Sequence, residues 1–223
     1  MTDHTGPDAA SGQRRPAWPG NAMTDRTEVE RRIGAARVVP VLRLPDADAA
    51  VHAVDDCFEA GLDVVELTAT TSGWQDALRR VRAAHPDRLV GVGTVLEADA
   101  ARAAIDLGAD FLVSPCPVPA VRDVAGTTPL VEGGMTVAEL VDAGSRGLAK
   151  LFPAHVGGPQ FLRSVLAVAP GLRIIPTGGI RLGDVPTWLD AGAFAVGVGS
   201  DLVAALYGPS GRATLEHLLR IPD

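Results

Sequence analysis

One lysine stands out among the residues that could do chemistry. Lys150 is the only lysine of the 223-residue chain, in which Lys and Arg together number 20, and it lies in the apolar run LAKLF (148–152). Arginine stays protonated at physiological pH, whereas burial favours the uncharged form of a lysine, which is a nucleophilic amine. The sequence therefore predicts a Schiff-base lysine. The alternative is a structural lysine whose ammonium group reaches the solvent.

A second candidate is Glu66, in the apolar segment DVVEL (63–67). A carboxylate inside an apolar strand is costly unless it has a partner, so Glu66 is predicted to be a catalytic acid/base. It could also pair with an arginine of an outer helical layer. Glu132, in TPLVE (128–132), is either a second site acid or the partner of Arg173 or another arginine. His155 has no second ligand at metal spacing, so we predict a loop histidine and no metal.

Glycine-rich segments follow three other apolar runs. They are GVGT (91–94), which ends in Thr94, TGGI (177–180), with Gly178 and Gly179, and VGS (198–200), with Gly199 and Ser200. Small residues let backbone N–H groups approach an anion closely. Barrels often hold phosphate in the loops after strands seven and eight, so TGGI and VGS are predicted to bind phosphate. The glycines of GVGT could equally serve strand packing.

The elements that must position these residues repeat in a regular order. Apolar runs of strand length begin near residues 38, 63, 88, 110, 128, 148, 173 and 194, and amphipathic helical segments separate them. Continuous apolar runs indicate strands buried on both faces, as in a parallel sheet. Eight strand–helix units predict a compact (β/α)8 TIM barrel; a doubly wound open sheet is the alternative. In a barrel, the polar residues at the carboxyl ends of the strands converge.

Composition limits the domain organisation and the partners. Residues 1–22 are rich in Pro, Gly and polar residues and are predicted to be a disordered extension; residues 23–223 are predicted to form one barrel domain. The net charge of −7 disfavours nucleic acid and anionic membranes as partners. No apolar run reaches the ~18 residues of a membrane span. Cys57 and Cys116 form no close-spaced pair and indicate reduced thiols in the cytoplasm.

Six motifs in register carry a resemblance to a known family. VVELT, GVGTVL, FLVSP, AKLFPA, PTGGI and VGVGSDL resemble, in this order and spacing, the 2-keto-3-deoxy-6-phosphogluconate aldolase family, which includes 4-hydroxy-2-oxoglutarate and 2-keto-3-deoxy-6-phosphogalactonate aldolases. The resemblance covers about residues 33–206. It implies a class I, Schiff-base lyase on a compact barrel, without metal or other cofactor, that assembles as a homotrimer.

The resemblance also implies roles for residues. Lys150 matches the Schiff-base lysine, Glu66 the acid/base glutamate and Thr94 a threonine near the pyruvate carboxylate. The glycine loops match the phosphate end, and Thr70, Phe152 and Pro115 are expected to line the pocket.

One departure concerns the substrate carboxylate. Members that act on the gluconate substrate hold it with an arginine four residues after the glutamate, where this chain has Thr70. Arg43, at the end of the first predicted strand, could take over this contact, as in the galactonate branch. The segment GGPQFLRSV (157–165) also resembles that branch.

The predicted reaction is cleavage of a 2-keto-3-deoxy (6-phospho) sugar acid to pyruvate and an aldehyde such as glyceraldehyde 3-phosphate. Two other functions stay open at this point. One is a phosphosugar isomerase or epimerase that uses Glu66 without a covalent step. The other is a non-catalytic barrel that binds sugar acids, with Thr70 as the trace of lost turnover.

Overall fold

The barrel is built from eight strands and nine helices within residues 25–208, which are the residues the structure describes. In the computed structural model the strands are β1 (Val38–Leu42), β2 (Val64–Thr68), β3 (Leu89–Gly93), β4 (Phe111–Val113), β5 (Leu130–Gly134), β6 (Leu148–Leu151), β7 (Arg173–Pro176) and β8 (Val196–Val198). The helices are α1 (Arg26–Ala36), α2 (Ala47–Glu59), α3 (Trp74–Ala84), α4 (Ala98–Asp106), α5 (Pro119–Ala125), α6 (Val137–Gly144), α7 (Ala154–Val168), α8 (Val185–Asp190) and α9 (Ser200–Leu206). The sequence also predicts an amphipathic segment over 214–219. This segment and the predicted extension 1–22 lie outside the described residues.

The strands form one parallel sheet in the order β7-β6-β5-β4-β3-β2-β1-β8. Its two ends meet between β7 and β8, where Thr177 forms a parallel bridge with Gly197. The Phe194 N–H also donates to the carbonyl of Ile174 at 2.9 Å. This seam turns the sheet into a ring, which confirms the (β/α)8 barrel over the open sheet.

Two apolar layers enclose the strands. Most of the core lies between the strands and the outer helices. A smaller cluster fills the interior, where Val64, Leu148 and Ile175 pack with Val29 and Ile33 of α1. Side chains alternate between the faces of a strand, so each strand supplies both layers. This is why the sequence of each strand is apolar throughout. Helix α1, whose Val29 and Ile33 pack into the interior cluster, closes the amino-terminal end of the barrel.

The sequence also predicts the bounds of the helices between the strands, with Thr136 as the cap of a helix over 137–143. Most predicted elements match the observed bounds to within two residues, but β8, predicted over 193–199, and helix α7, predicted over 159–168, differ more. The predicted start of α7 is Pro159, whereas the helix begins at Ala154 and is kinked at Gly158, whose φ is 64°. Pro159 therefore opens the second part of the helix, where a proline is favoured because its missing N–H has no helical partner there. Thr136 caps α6 as predicted, in a reciprocal pair of hydrogen bonds with Glu139. Within residues 25–208 no helix is both long and apolar enough to cross a membrane.

Candidate active site

Lys150 and Glu66 meet inside the barrel although 84 residues separate them in the chain. The Nζ atom of Lys150 lies 3.3 Å from Oε1 and 3.5 Å from Oε2 of Glu66. Both residues are buried, with relative exposures of 5% and 3%. The centre of the Phe152 ring lies 5.8 Å from the same nitrogen. A primary amine and a carboxylate thus share an enclosed space, in which electrostatic interactions are stronger than in water.

The alternation of side chains along a strand directs the side chains of Glu66 and Lys150 into the barrel. Glu66 follows the interior residue Val64 by two positions on β2, and Lys150 follows the interior residue Leu148 by two on β6. Residues two apart on a strand share a face, so both groups point into the barrel. The outer-layer alternative for Glu66 and the solvent-exposed alternative for Lys150 are therefore wrong.

The glycines of GVGT make room for this arrangement. A Cβ atom on Gly93 would lie 1.8 Å from Oε1 of Glu66, and one on Gly91 would lie 2.2 Å from the ring of Phe111. Both glycines lie on the same face of β3 and are paired with β2, Gly91 with Glu66 and Gly93 with Thr68. Gly93 therefore leaves the space that the Glu66 carboxylate occupies, while Gly91 serves core packing.

Two cavities adjoin the pair. An inner cavity of about 10 Å³ is lined by Lys150, Glu66 and apolar interior side chains. An outer pocket of about 660 Å³ opens at the carboxyl ends of the strands. Thr177, which is 5% exposed, lines both. The amine and the carboxylate thus lie on the inner side of Thr177, and the wider space lies on its outer side.

The outer pocket gathers six of the residues singled out in the sequence. They are Arg43, Phe152, Gly178, Gly179, Gly199 and Ser200. Gly178 and Gly179 both have positive φ angles, 98° and 69°, which favour glycine. A Cβ on Gly178 would touch the ring of Phe152 at 3.0 Å. The loops after β7 and β8 therefore face one space together with the Arg43 guanidinium.

Three predicted residues line neither of the two cavities: Thr70, Thr94 and Pro115. Thr70 is exposed, and its hydroxyl donates to that of Thr68 at 3.2 Å. Thr94 follows β3 with a φ of 60°, a strained value for a β-branched residue. Pro115 lies beside Gly133, where a Cβ would come within 2.2 Å of the proline carbonyl carbon. The structure does not bring Arg43 and Thr94 into one described cavity.

Glu132 is a structural acid on the outer face of β5. Its carboxylate accepts hydrogen bonds from Arg122, Arg146 and the N–H of Val118, each as short as 2.7 Å. Burial alone would raise the pKa of Glu132, but the bonds from Arg122, Val118 and Arg146 outweigh burial and hold this pKa below its usual range. The prediction that Glu132 could pair with an arginine other than Arg173 is confirmed, because its partners are Arg122 and Arg146. Arg173 itself pairs with Glu30.

His155 lies in the first turn of α7 and not in a loop as predicted, because this helix begins at Ala154, and its side chain lies against the glycine loop. Its backbone N–H donates to the carbonyl of Gly178 at 3.1 Å, and ring atom Nδ1 lies 3.3 Å from the same oxygen. No cluster of three or more potential metal-ligating side chains occurs between residues 25 and 208. Burial raises the pKa of the Cys57 thiol to about 12, which makes it a poor nucleophile at neutral pH.

The sequence analysis assigned no role to three threonines that shape the site. Thr177 precedes the TGGI glycines, and its place at the end of β7 is the signal that could have identified it. Thr68 and Thr71 are buried; the Thr68 hydroxyl donates to the Leu42 carbonyl at 3.2 Å, and the Thr71 hydroxyl accepts from the Leu44 N–H at 3.2 Å. These bonds fix the backbone on both sides of Arg43, and no pattern in the sequence indicates them.

Comparison with known proteins decides the family. A family model described as "Aldolase: KDPG and KHG aldolase" matches residues 29–210. The chain belongs to the KDPG and KHG aldolase family. KDPG is 2-keto-3-deoxy-6-phosphogluconate and KHG is 2-keto-4-hydroxyglutarate, also called 4-hydroxy-2-oxoglutarate. As a member of this family, the chain is an aldehyde-lyase of class I, which cleaves its substrate to pyruvate and an aldehyde through a Schiff base.

Individual members resemble the chain over most of their length. The 2-dehydro-3-deoxy-phosphogluconate aldolase of Haemophilus influenzae is 32% identical over 168 residues, which are 73% of this chain and 79% of the relative. The 2-dehydro-3-deoxy-6-phosphogalactonate aldolase of Escherichia coli is 30% identical over 175 residues, 75% of this chain and 85% of the relative. KDPG aldolase from Legionella pneumophila, solved with pyruvate captured as a covalent carbinolamine, superposes with a TM-score of 0.74 at 27% identity, covering 85% of this chain and 95% of that one.

Proposed function

We propose that Lys150 forms the Schiff base and that Glu66 is the acid/base of this aldolase, acting on a 2-keto-3-deoxy-6-phospho sugar acid. The observation that carries the proposal is the buried contact of 3.3 Å between Lys150 Nζ and Glu66 Oε1. A carboxylate at this distance can take up the proton of the lysine before attack and return one to the carbinolamine oxygen when water leaves.

The remaining steps follow from the imine. The amine adds to the C2 ketone, and loss of water gives a protonated imine that withdraws electrons from C3. Glu66, through a water, removes the proton of the C4 hydroxyl; the C3–C4 bond then breaks, its electron pair forms an enamine, and C4 leaves as the aldehyde. Protonation of the enamine at C3 and hydrolysis of the imine release pyruvate and free Lys150.

The two cavities support an orientation for the substrate. The ketone end must reach Lys150 on the inner side of Thr177, so the phosphate end extends into the outer pocket. There the backbone N–H groups of Gly178, Gly179, Gly199 and Ser200 bind the phosphate. The Thr177 hydroxyl, between the two cavities, contacts the middle of the sugar-acid chain.

Arg43 binds an anionic group of the substrate. The resemblance assigns the carboxylate to Arg43 and Thr94, but the place of Arg43 in the outer pocket with the two glycine loops favours the phosphate. Arg43→Ala decides between them. Weaker pyruvate binding identifies the carboxylate, whereas normal pyruvate affinity with weaker competition by inorganic phosphate identifies the phosphate.

We propose a homotrimer in the cytoplasm as the working form. Several large apolar side chains support self-association because they are more than a third exposed: Leu96, Val137, Val141, Val156 and Val168. Val137 and Val141 are four residues apart on α6 and share one helix face. The two cysteines, both free thiols, fit a reducing compartment.

Borohydride trapping tests the chemistry. Incubation with pyruvate followed by reduction should attach one reduced pyruvate adduct to Lys150, which mass spectrometry of the digested protein locates. Lys150→Arg keeps the charge but cannot form an imine, so it is the matched control and should stay unmodified. An unmodified wild-type protein, or an adduct that survives in Lys150→Arg, would refute the assignment.

A further inference from the structure

Asp201 joins the two loops that face the outer pocket. It is the second residue of α9, directly after Ser200, and its Oδ2 atom accepts the backbone N–H of Leu182 at 2.7 Å. Leu182 begins a short 3-10 helix, Leu182–Asp184, in the loop that follows Gly178 and Gly179. One side chain from the loop after β8 thus fixes the backbone of the loop after β7.

The bond is placed to set the spacing of the two glycine segments. Leu182 is 3% exposed and part of the core, so this end of its loop is anchored by packing as well. Only Ile180 and Arg181 separate it from the glycines. A charged acceptor makes this hydrogen bond stronger than a neutral one, and no other side-chain hydrogen bond joins the two loops within residues 25–208.

The same carboxylate brings a negative charge to the pocket, because Asp201 is one of its lining residues. Negative charge beside a bound phosphate weakens its binding. Arg181, which also lines the pocket, already pairs with Asp184 at 3.0 Å. The negative charge of Asp201 would therefore weaken phosphate binding if it had no other role. The hydrogen bond from the Leu182 N–H to Asp201 explains why an aspartate occupies this position.

We propose that Asp201 is a positioning residue that couples the loops after β7 and β8 into one anion-binding site, and thereby sets the preference for a phosphorylated substrate. This inference rests on the proposed binding of phosphate by the glycine loops. It assigns Asp201 no contact with the reacting atoms.

Two substitutions at Asp201 separate the hydrogen bond from the charge. Asp201→Ala removes both, so the loops lose their connection. Asp201→Asn removes the charge but keeps an oxygen that accepts the Leu182 N–H. We expect Asp201→Ala to raise KM for the phosphorylated substrate roughly tenfold, the size of a lost hydrogen bond to a charged group. Asp201→Asn should leave this KM equal to or below the wild-type value.

The comparison uses a matched pair of substrates. They are the phosphorylated sugar acid that the wild-type protein cleaves fastest and the same sugar acid without its phosphate. In Asp201→Ala the rise in KM for the phosphorylated substrate should be at least about five times the rise for the substrate without phosphate. This ratio is on the order expected for the loss of one charge-assisted hydrogen bond. Asp190→Ala is the control, because it removes an exposed carboxylate at the end of α8 without touching the Leu182–Asp201 bond or a residue that lines the pocket. The preference of this control protein for the phosphorylated substrate should equal that of the wild type.

Each outcome decides the inference. Equal rises in KM for both substrates, or an Asp201→Asn protein as impaired as Asp201→Ala, would overturn it. If Asp201→Ala does not fold, Asp201→Ser replaces it, since a serine hydroxyl is one bond too short to reach Leu182. A wild-type protein without preference for the phosphate would refute the phosphate site and this inference together, yet borohydride trapping at Lys150 would still report the proposed Schiff base separately.

Discussion

At the residue scale, the site depends on the face of the strand that each acid occupies. Glu66 and Glu132 are both the third residue of a five-residue strand, and both are buried. Glu66 points inward and contacts a single amine, whereas Glu132 points outward and binds two arginines. A carboxylate held by two guanidiniums is a poor base. Only the inward acid is therefore placed for proton transfer.

Glu66→Gln separates imine formation from turnover. The amide keeps the size of the side chain but cannot accept the C4 hydroxyl proton, so we expect kcat to fall at least ~100-fold, the usual size of general acid–base effects. Steady-state kinetics and borohydride trapping on the same preparation measure the two steps. The pyruvate adduct should still form during a long incubation, although more slowly, because Glu66 is also proposed to transfer protons while the imine forms. An unchanged kcat would make Glu66 a structural residue.

Gly93→Ala tests whether the position of the Glu66 carboxylate matters. The new Cβ would overlap Oε1, which it meets at 1.8 Å, and would displace the carboxylate. We expect a loss of kcat close to that of Glu66→Gln, with the fold retained. In the control, Gly91→Ala, the Cβ instead meets the Phe111 ring, which should lower stability by about 1–3 kcal/mol. Thermal melts and kinetics of both variants check this, and a fully active Gly93→Ala protein would contradict it.

At the scale of elements, the buried Glu132 attaches the helices α5 and α6 to the barrel. Glu132 of β5 holds the start of α5 through Val118 and Arg122, and the end of α6 through Arg146. In turn, the bond to Asp142 and the buried Glu132 raise the pKa of Arg146. Helix α7 instead depends on a glycine, since Gly158 lets it bend between Ala154 and Pro159.

Stability should depend on pH through Glu132. Its pKa is lower in the folded protein than its ordinary value of 4.5. The stabilisation is therefore fully present above that ordinary value and is lost as the pH falls through the folded pKa. At pH 7, Glu132→Gln should cost roughly 1–3 kcal/mol.

Urea unfolding of wild type and Glu132→Gln between pH 7 and pH 3 measures this effect. The difference between the two proteins should shrink as the solution becomes acidic. Asp142→Asn, at an exposed partner of the same Arg146, is the control and should change stability little. A difference that stays constant with pH would show that the charge of Glu132 is not the cause.

Gly158→Ala should destabilise the protein through the backbone alone. An added Cβ would meet no atom within 4 Å, but the φ of 64° disfavours any residue with a side chain. We expect a cost of about 1–2 kcal/mol. Gly183→Ala also meets no atom and has no positive φ, so it should be neutral. Equal melting temperatures for the two variants would contradict this account.

At the scale of the whole molecule, the ring closes at one seam and leaves apolar surface outside. An isolated bridge between Thr177 and Gly197 joins this seam, whereas each other pair of neighbouring strands has at least two paired residues. Thr177 also lines both cavities. A Cβ on Gly197 would lie 2.3 Å from the Thr177 hydroxyl oxygen. The closure of the barrel and the division between its two cavities thus involve the same residue.

The proposed homotrimer predicts a definite mass. Sedimentation equilibrium should give three times the 23.0 kDa of the chain. Val141→Glu, which places a charge on the exposed face of α6, should weaken assembly if this face is part of the interface, because an unpaired charge is costly to bury. The exposed Asp123→Lys on α5 is a control for charge change. A monomeric wild-type protein would refute the trimer.

The sequence by itself determined the order of the eight units, the lone amine at Lys150, the acid at Glu66 and the two glycine loops that are proposed to bind phosphate. These are local features, because an apolar run, a helix cap or a glycine is visible wherever the chain is read. The family resemblance rests on the same motifs.

Only the tertiary structure decided which face each residue occupies. A strand buried on both sides is apolar throughout, so its sequence carries no alternation from which Glu66 and Glu132 could be assigned to opposite layers. The shared pocket of Arg43 and the glycine loops, the bond from Asp201 to Leu182 and the place of Thr177 between the cavities also arise from closure of the ring. They join residues far apart in the chain, and no local pattern specifies such contacts.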